Sequence, residues 1–150
     1  MRCAVPQGVL DSMSTNIGGA TMKLSRSVGY AVQATLYLAR ENSAQPVPCN
    51  RIAESGHLPE RFLLQVLRML VNCGVLRSTR GVVGGYRLAR SPETISLLEL
   101  IEAVDGKLAV APPLPDDLPG TPNDKLQIAL CDLTESLRQQ LGDIRIANLM

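Results

Sequence analysis

The stretch from Arg77 to Arg90, "RSTRGVVGGYRLAR", gathers four arginines around three glycines. Cations beside permissive backbone suit two kinds of chemistry: cradling the phosphates of a nucleotide, or gripping those of a duplex from a hairpin. A nucleotide loop needs a glycine-rich run ending in Lys and Ser or Thr, or a GxGxxG turn between a strand and a helix, and neither pattern occurs. The glycines instead separate two short extended runs, "VLRST" and "YRLA", so a β-hairpin with a cationic tip fits. Arg77, Arg80, Arg87 and Arg90 can then approach phosphates, and Arg80 at the tip is placed to enter a narrow minor groove. The bland alternative is a solvated charged hairpin.

A second constellation precedes it. Between Pro59 and Cys73, the pairs Phe62/Leu63, Val66/Leu67 and Leu70/Val71 recur every four residues and predict one buried helical stripe, with Gly74 as its stop. Arg61, Gln65, Arg68 and Asn72 take the opposite face, and Arg61, Gln65 and Arg68 have donors and acceptors that match base edges or phosphates in a major groove. Leu64 lies beside them, placed to touch a thymine methyl. A polar helix face taken alone is ordinarily just solvated, so this signal gains weight only together with the hairpin.

Thiol and imidazole chemistry finds little support. Cys3, Cys49, Cys73 and Cys131 are far apart, with no CxxC pair, so the spacing writes neither a disulfide framework nor a metal knuckle, and a reduced cytoplasmic setting fits. Cys49 has two readings: a redox-responsive thiol whose pKa a helix N-terminus lowers, or a small, partly buried packing residue. Cys73 and Cys131 read as packing residues. His57, the single histidine, falls in the turn before the polar-faced helix with no acid or nucleophile placed to work with it. With no nucleophile and base pair, metal cluster or phosphate loop, an enzyme is not expected.

These residues need elements to hold them. A first helix is expected from Ser25, as N-cap, to about Arg40, with Val28, Ala31, Val32, Leu36 and Ala39 inward. A short second helix fits "CNRIAES", closed by Gly56. Two helices, a turn and a hairpin make a winged helix-turn-helix over residues 22–91. A supporting helix lies within 92–105, with Leu97, Leu98, Ile101 and Val104 apolar. Residues 106–120 hold four prolines and read as a loop. From Thr121 as cap, with Pro122 in the first turn and Asp124 at the capping-box position, a final helix carries Leu126, Leu130, Leu133, Leu137 and Leu141 at spacings of 4, 3, 4 and 4. That stripe needs a partner, and 121–150 is expected to dimerise. The fold class is therefore mainly α with one small hairpin.

Composition agrees. Aromatic residues make up 3% of the 150-residue chain, so the core must be aliphatic. The net charge of +1 hides a division: residues 22–91 hold ten Lys or Arg against three acids, a charge of +7, whereas 92–150 hold four against ten, a charge of −6. One half is suited to a polyanion and the other is not. No apolar run approaches the roughly 18 residues that cross a bilayer. Residues 1–21, rich in Gly, Ser and Thr, read as a disordered tail or a translation-start artefact ahead of Met22.

The segments "MKLSRSVGYAVQATLYLA", "PERFLLQVLRMLVNCGVLRSTRGVVGGYRLAR", "ISLLELIEAVDG" and "LGDIRIANL" resemble the Rrf2 (Rrf-two) family of bacterial winged-helix transcriptional regulators, from Met22 to the end. The resemblance implies a homodimer on a roughly palindromic double-stranded DNA operator, with the last helix crossing to the partner. On matching positions it implies DNA contacts from Lys23, Ser25 and Arg26, from Arg61, Gln65 and Arg68, and from Arg80 and Gly81. Many members hold an iron-sulfur cluster through three cysteines in the loop before the dimer helix. Here residues 106–124 contain no Cys or His, so that loop has no thiolate to offer and no cofactor is expected. The rival from another class is a protein-interaction module that uses the leucine stripe without specific DNA binding.

Overall fold

The computed structural model of the chain describes residues 24–109 and 123–150. The expectations for the tail, Met22, Lys23, most of the proline-rich loop and the caps Thr121 and Pro122 fall outside these residues, as does the side chain of Asp124.

Helix α1 spans Arg26–Glu41, α2 Cys49–Gly56 and α3 Glu60–Asn72. The hairpin follows as β1, Leu76–Thr79, and β2, Gly85–Leu88, then α4, Leu97–Asp105, and α5, Asn123–Asp143. A 3-10 turn at Ile146–Leu149 closes the chain. This is the expected winged helix-turn-helix with a long terminal helix.

Local chemistry explains most boundaries. Ser25 caps α1 by accepting the Val28 amide. At the end of α3, Gly74 takes φ +72, its N–H reaches the Val71 carbonyl, and the Val75 N–H reaches that of Leu70. That double closure needs a left-handed residue, which glycine supplies without a Cβ penalty. At α2 the expectation fails: Gly56 stays helical and His57 takes the left-handed conformation, φ 50. The Leu58 side chain packs where a Cβ on residue 56 would sit, 3.0 Å away, so Gly56 serves packing and the turn falls to its neighbour.

The core lies between α1, α2, α3 and α4 and is almost wholly aliphatic: Leu63, Leu67 and Leu70 of α3 meet Ala31, Ala34 and Leu38 of α1, with Ile52, Val75, Ile95 and Leu100. Three expectations of burial need correction. Phe62 is 63% exposed, because the buried arc of α3 centres on Leu63, Val66, Leu67 and Leu70 and Phe62 lies at its edge. In α1, Ala34, Thr35 and Leu38 point inward while Val32 and Leu36 are half-buried. In α4 the buried pair is Leu100 and Ile101, and Leu97, Leu98 and Val104 are half-buried.

Two tertiary connections orient the hairpin and the final helix. The Val47 N–H donates to the Tyr86 carbonyl at 2.9 Å and the Tyr86 N–H donates back at 2.8 Å, so the segment between α1 and α2 forms a bridge to β2. Gly85 makes this approach feasible, since a Cβ there would stand 2.3 Å from the Val47 carbonyl oxygen. At the other end, the Leu97 N–H donates to the Ile144 carbonyl and the Ile146 N–H to that of Ile95, burying Ile146 completely. Arg138 of α5 pairs with Glu102 of α4. Among the described residues, no helix is long and apolar enough to cross a membrane.

Candidate nucleic-acid interface

On α3, Arg61, Gln65 and Arg68 are exposed and Leu64 is half-buried, so the outward face has the composition expected. On the hairpin, β1 and β2 pair antiparallel with Leu76 opposite Leu88, Arg77 opposite Arg87, Ser78 opposite Tyr86 and Thr79 opposite Gly85. The connection Arg80 to Gly84 forms the wing tip, where Arg80, Gly81, Val82 and Val83 are exposed.

A groove of about 640 Å³ runs between α3 and the wing, and Arg68 and Asn72 line it on one side, Arg80 and Tyr86 on the other, with Cys49 at its edge. It therefore joins a cation of α3 to one of the wing. Among the described residues, Arg61, Arg68, Arg77, Arg80 and Arg87 form no ion pair, whereas Arg90 and Arg138 do. Arg77 and Arg87 even stand directly opposite each other across the hairpin, where like charges repel. Five guanidinium groups on α3 and the hairpin are thus left without carboxylate partners and available to an anion.

Several expected residues behave differently. Ser25 is engaged within its own chain: its N–H and hydroxyl donate to the two oxygens of Asp105, at 3.1 and 2.5 Å. Arg26 is exposed at the start of α1. Arg90, expected to approach phosphates, pairs with Glu99 at 2.8 Å. The Cys49 thiol is not lowered by the N-terminus of α2: burial pushes its pKa up and Glu60 adds to the rise. Burial also raises Tyr86, helped by Cys49 and opposed by Arg68. Cys73 and Cys131, expected in packing, are exposed. Leu126 and Leu133 of α5 are 39% and 63% exposed, and Leu130, Leu137 and Leu141 half-buried.

Sequence reasoning missed Val47, Tyr86 and Glu99 as contributors. For Glu99 a signal existed, since Ser96 and Glu99 satisfy the capping-box spacing. The residues present do not fit a thiolate-held cluster: Cys49 edges the groove, Cys73 ends α3, Cys131 lies within α5, and among the described residues no group of three or more His, Cys, Asp or Glu could hold a metal.

Residues 24–150 match the Rrf2 family, described as iron-dependent transcriptional regulators. A Synechocystis chain named as a candidate HTH-type transcriptional regulator is 36% identical over 96 residues, which cover 64% of this chain and 65% of that one. The HTH-type transcriptional regulator CymR of Bacillus subtilis is 31% identical over 98 residues, 65% of this chain and 71% of that one. The solved structure of B. subtilis CymR, described as a global cysteine regulator, superposes with a TM-score of 0.70 at 25% identity, covering 86% of this chain and 96% of that one. The match thus spans just under two thirds of the Synechocystis relative's length. With its winged helix, its unpaired arginines and a family match over all its described residues, the chain belongs to the Rrf2 family of transcriptional regulators.

Proposed function

We propose that this chain regulates transcription by binding double-stranded DNA as a homodimer, most simply as a cytoplasmic repressor that blocks polymerase. Each subunit places α3 in a major groove, where Arg61, Gln65 and Arg68 meet base edges and phosphates beside Leu64. The wing, through Arg77, Arg80 and Gly81, grips the flanking backbone, and Lys23 and Arg26 add contacts, whereas Ser25 is held by Asp105. Half-sites then lie about one helical turn apart. The leucines of α5, two of them well exposed in the single subunit, form the dimer seam.

The observation that carries this reading is the set of five arginines on α3 and the hairpin that lack acidic partners, two of them lining one groove. The chain acts as a binder, not a catalyst. An iron-sulfur cluster has no place in the reading, because 106–124 supplies no thiolate. Cys49, with its raised thiol, serves as a groove residue and not as a poised redox sensor.

Fluorescence anisotropy with genomic fragments across a salt series tests the reading. A dimer that neutralises about 6 phosphates gives a log-log slope near −5. Salt-independent retention, or none at all, would instead favour a protein-interaction module.

A further inference from the structure

Arg90 follows β2 by two residues and looks, by type and place, like another phosphate contact. Its guanidinium is spent otherwise. Nε donates to the Gly74 carbonyl at 3.4 Å, Nη1 to the Thr94 carbonyl at 3.4 Å and Nη2 to Oε1 of Glu99 at 2.8 Å. These acceptors belong to three places: the turn that closes α3, the approach to α4, and the first turn of α4. Glu99 is itself fixed, because its Oε2 accepts the Ser96 amide at 2.8 Å while the Ser96 hydroxyl accepts the Glu99 amide at 3.2 Å. The neighbouring residues Ile95 and Leu97 hold the chain that leaves α5.

We infer that Arg90 is a positioning residue of the DNA interface: it sets the angle of the wing to α3 and ties both to the helix on which α5 packs. A two-stranded hairpin with four-residue strands has little stability of its own, so anchors must orient it. On one side the anchor is the Val47 and Tyr86 bridge. On the other, the Ala89 N–H donates to the Val75 carbonyl and Arg90 reaches across to three acceptors. The three bonds come from three different nitrogens of one rigid plane, and a lysine, whose three donors radiate from a single nitrogen, does not reproduce that spread.

This inference rests on the DNA-binding reading, and the experiment separates the two. The full chain and its Arg90→Ala, Arg90→Lys and Glu99→Gln variants are titrated, by anisotropy across a salt series, against one duplex selected for binding the wild type. Positioning predicts that Arg90→Ala and Glu99→Gln each weaken binding about tenfold with the salt slope unchanged. Arg90→Lys does not restore affinity, and the double variant is no worse than either single one. A direct phosphate contact makes the opposite prediction: Arg90→Ala lowers the slope by about 0.9, and Glu99→Gln, which frees the guanidinium, binds equally well or more tightly. Either of those results overturns the inference. Should Arg90→Ala lose its fold by circular dichroism, Glu99→Gln, which keeps the side-chain shape, carries the test alone. A wild type that binds no duplex sinks the DNA-binding reading, whereas a binding wild type with unaffected variants sinks only the role of Arg90.

Discussion

Phe62 and Leu63 are adjacent in the chain and opposite in environment, one largely in solvent and the other fully buried. Truncating Leu63 to Ala should cost about 2–5 kcal/mol by chemical denaturation, because it empties a site between α1 and α3. Phe62→Ala should cost under about 1 kcal/mol, and a loss comparable to that of Leu63→Ala would show that the aromatic ring is part of the core. Arg80→Ala should weaken binding and flatten the salt slope by about 0.9 while leaving the unfolding temperature in place, and unchanged retention on the duplex would remove the wing tip from the interface. At this scale the sequence was legible wherever one residue decides the outcome with its immediate neighbours. Ser25 as a cap and Gly74 as a stop follow from local hydrogen bonds and a left-handed turn. It was illegible where side-chain packing or a group farther along the chain decides: the Leu58 side chain fills the space a Cβ on residue 56 would need, and Glu99 claims Arg90.

Among the elements, the wing depends on a neighbour that pattern reading did not supply. The periodicity of two short runs gave the hairpin and its register-setting glycines, but the Val47 bridge joins segments about forty positions apart and leaves no local signature. Gly85→Ala should destabilise the protein by about 1–3 kcal/mol in thermal unfolding, since the added methyl meets the Val47 carbonyl; a neutral result would mean that the bridge yields freely. The start of α4 carries a carboxyl that couples folding to acid. Burial pushes the Glu99 carboxyl up, but the Ser96 amide and hydroxyl and the Arg90 guanidinium outweigh it and hold its pKa below the ordinary value. A carboxyl lowered in the folded state contributes stability above its unfolded pKa, about 4.3, and loses it as pH falls through the folded value. Stability measured from pH 6 downward should therefore decline in the acid range, and Glu99→Gln should make that decline shallower; parallel curves would show that the capping box does not titrate with folding.

For the whole molecule, the division of charge between a basic stretch, 22–91, and an acidic one, 92–150, was plain from counting, and so was the long leucine-bearing helix. Counting could not tell which leucines the subunit covers for itself: α4 and α5 pack together, leaving Leu126 and Leu133 more exposed than Leu130, Leu137 and Leu141. The proposed dimer predicts that in sedimentation velocity the wild type runs as a dimer and Leu133→Asp as a monomer with helix content preserved, and a variant that still sediments as a dimer would move the seam elsewhere. The closing 3-10 turn has a different consequence. Ile146 plugs the interior beside Ile95, so a version shortened to stop at Asp143 would keep every arginine of α3 and the hairpin and every leucine of the α5 stripe and still have a cavity in its core. Such a version should melt early and broadly, whereas cargo fused after the exposed Met150 should leave the fold alone. A stretch far in sequence from α3 and the hairpin thus completes the core they stand on.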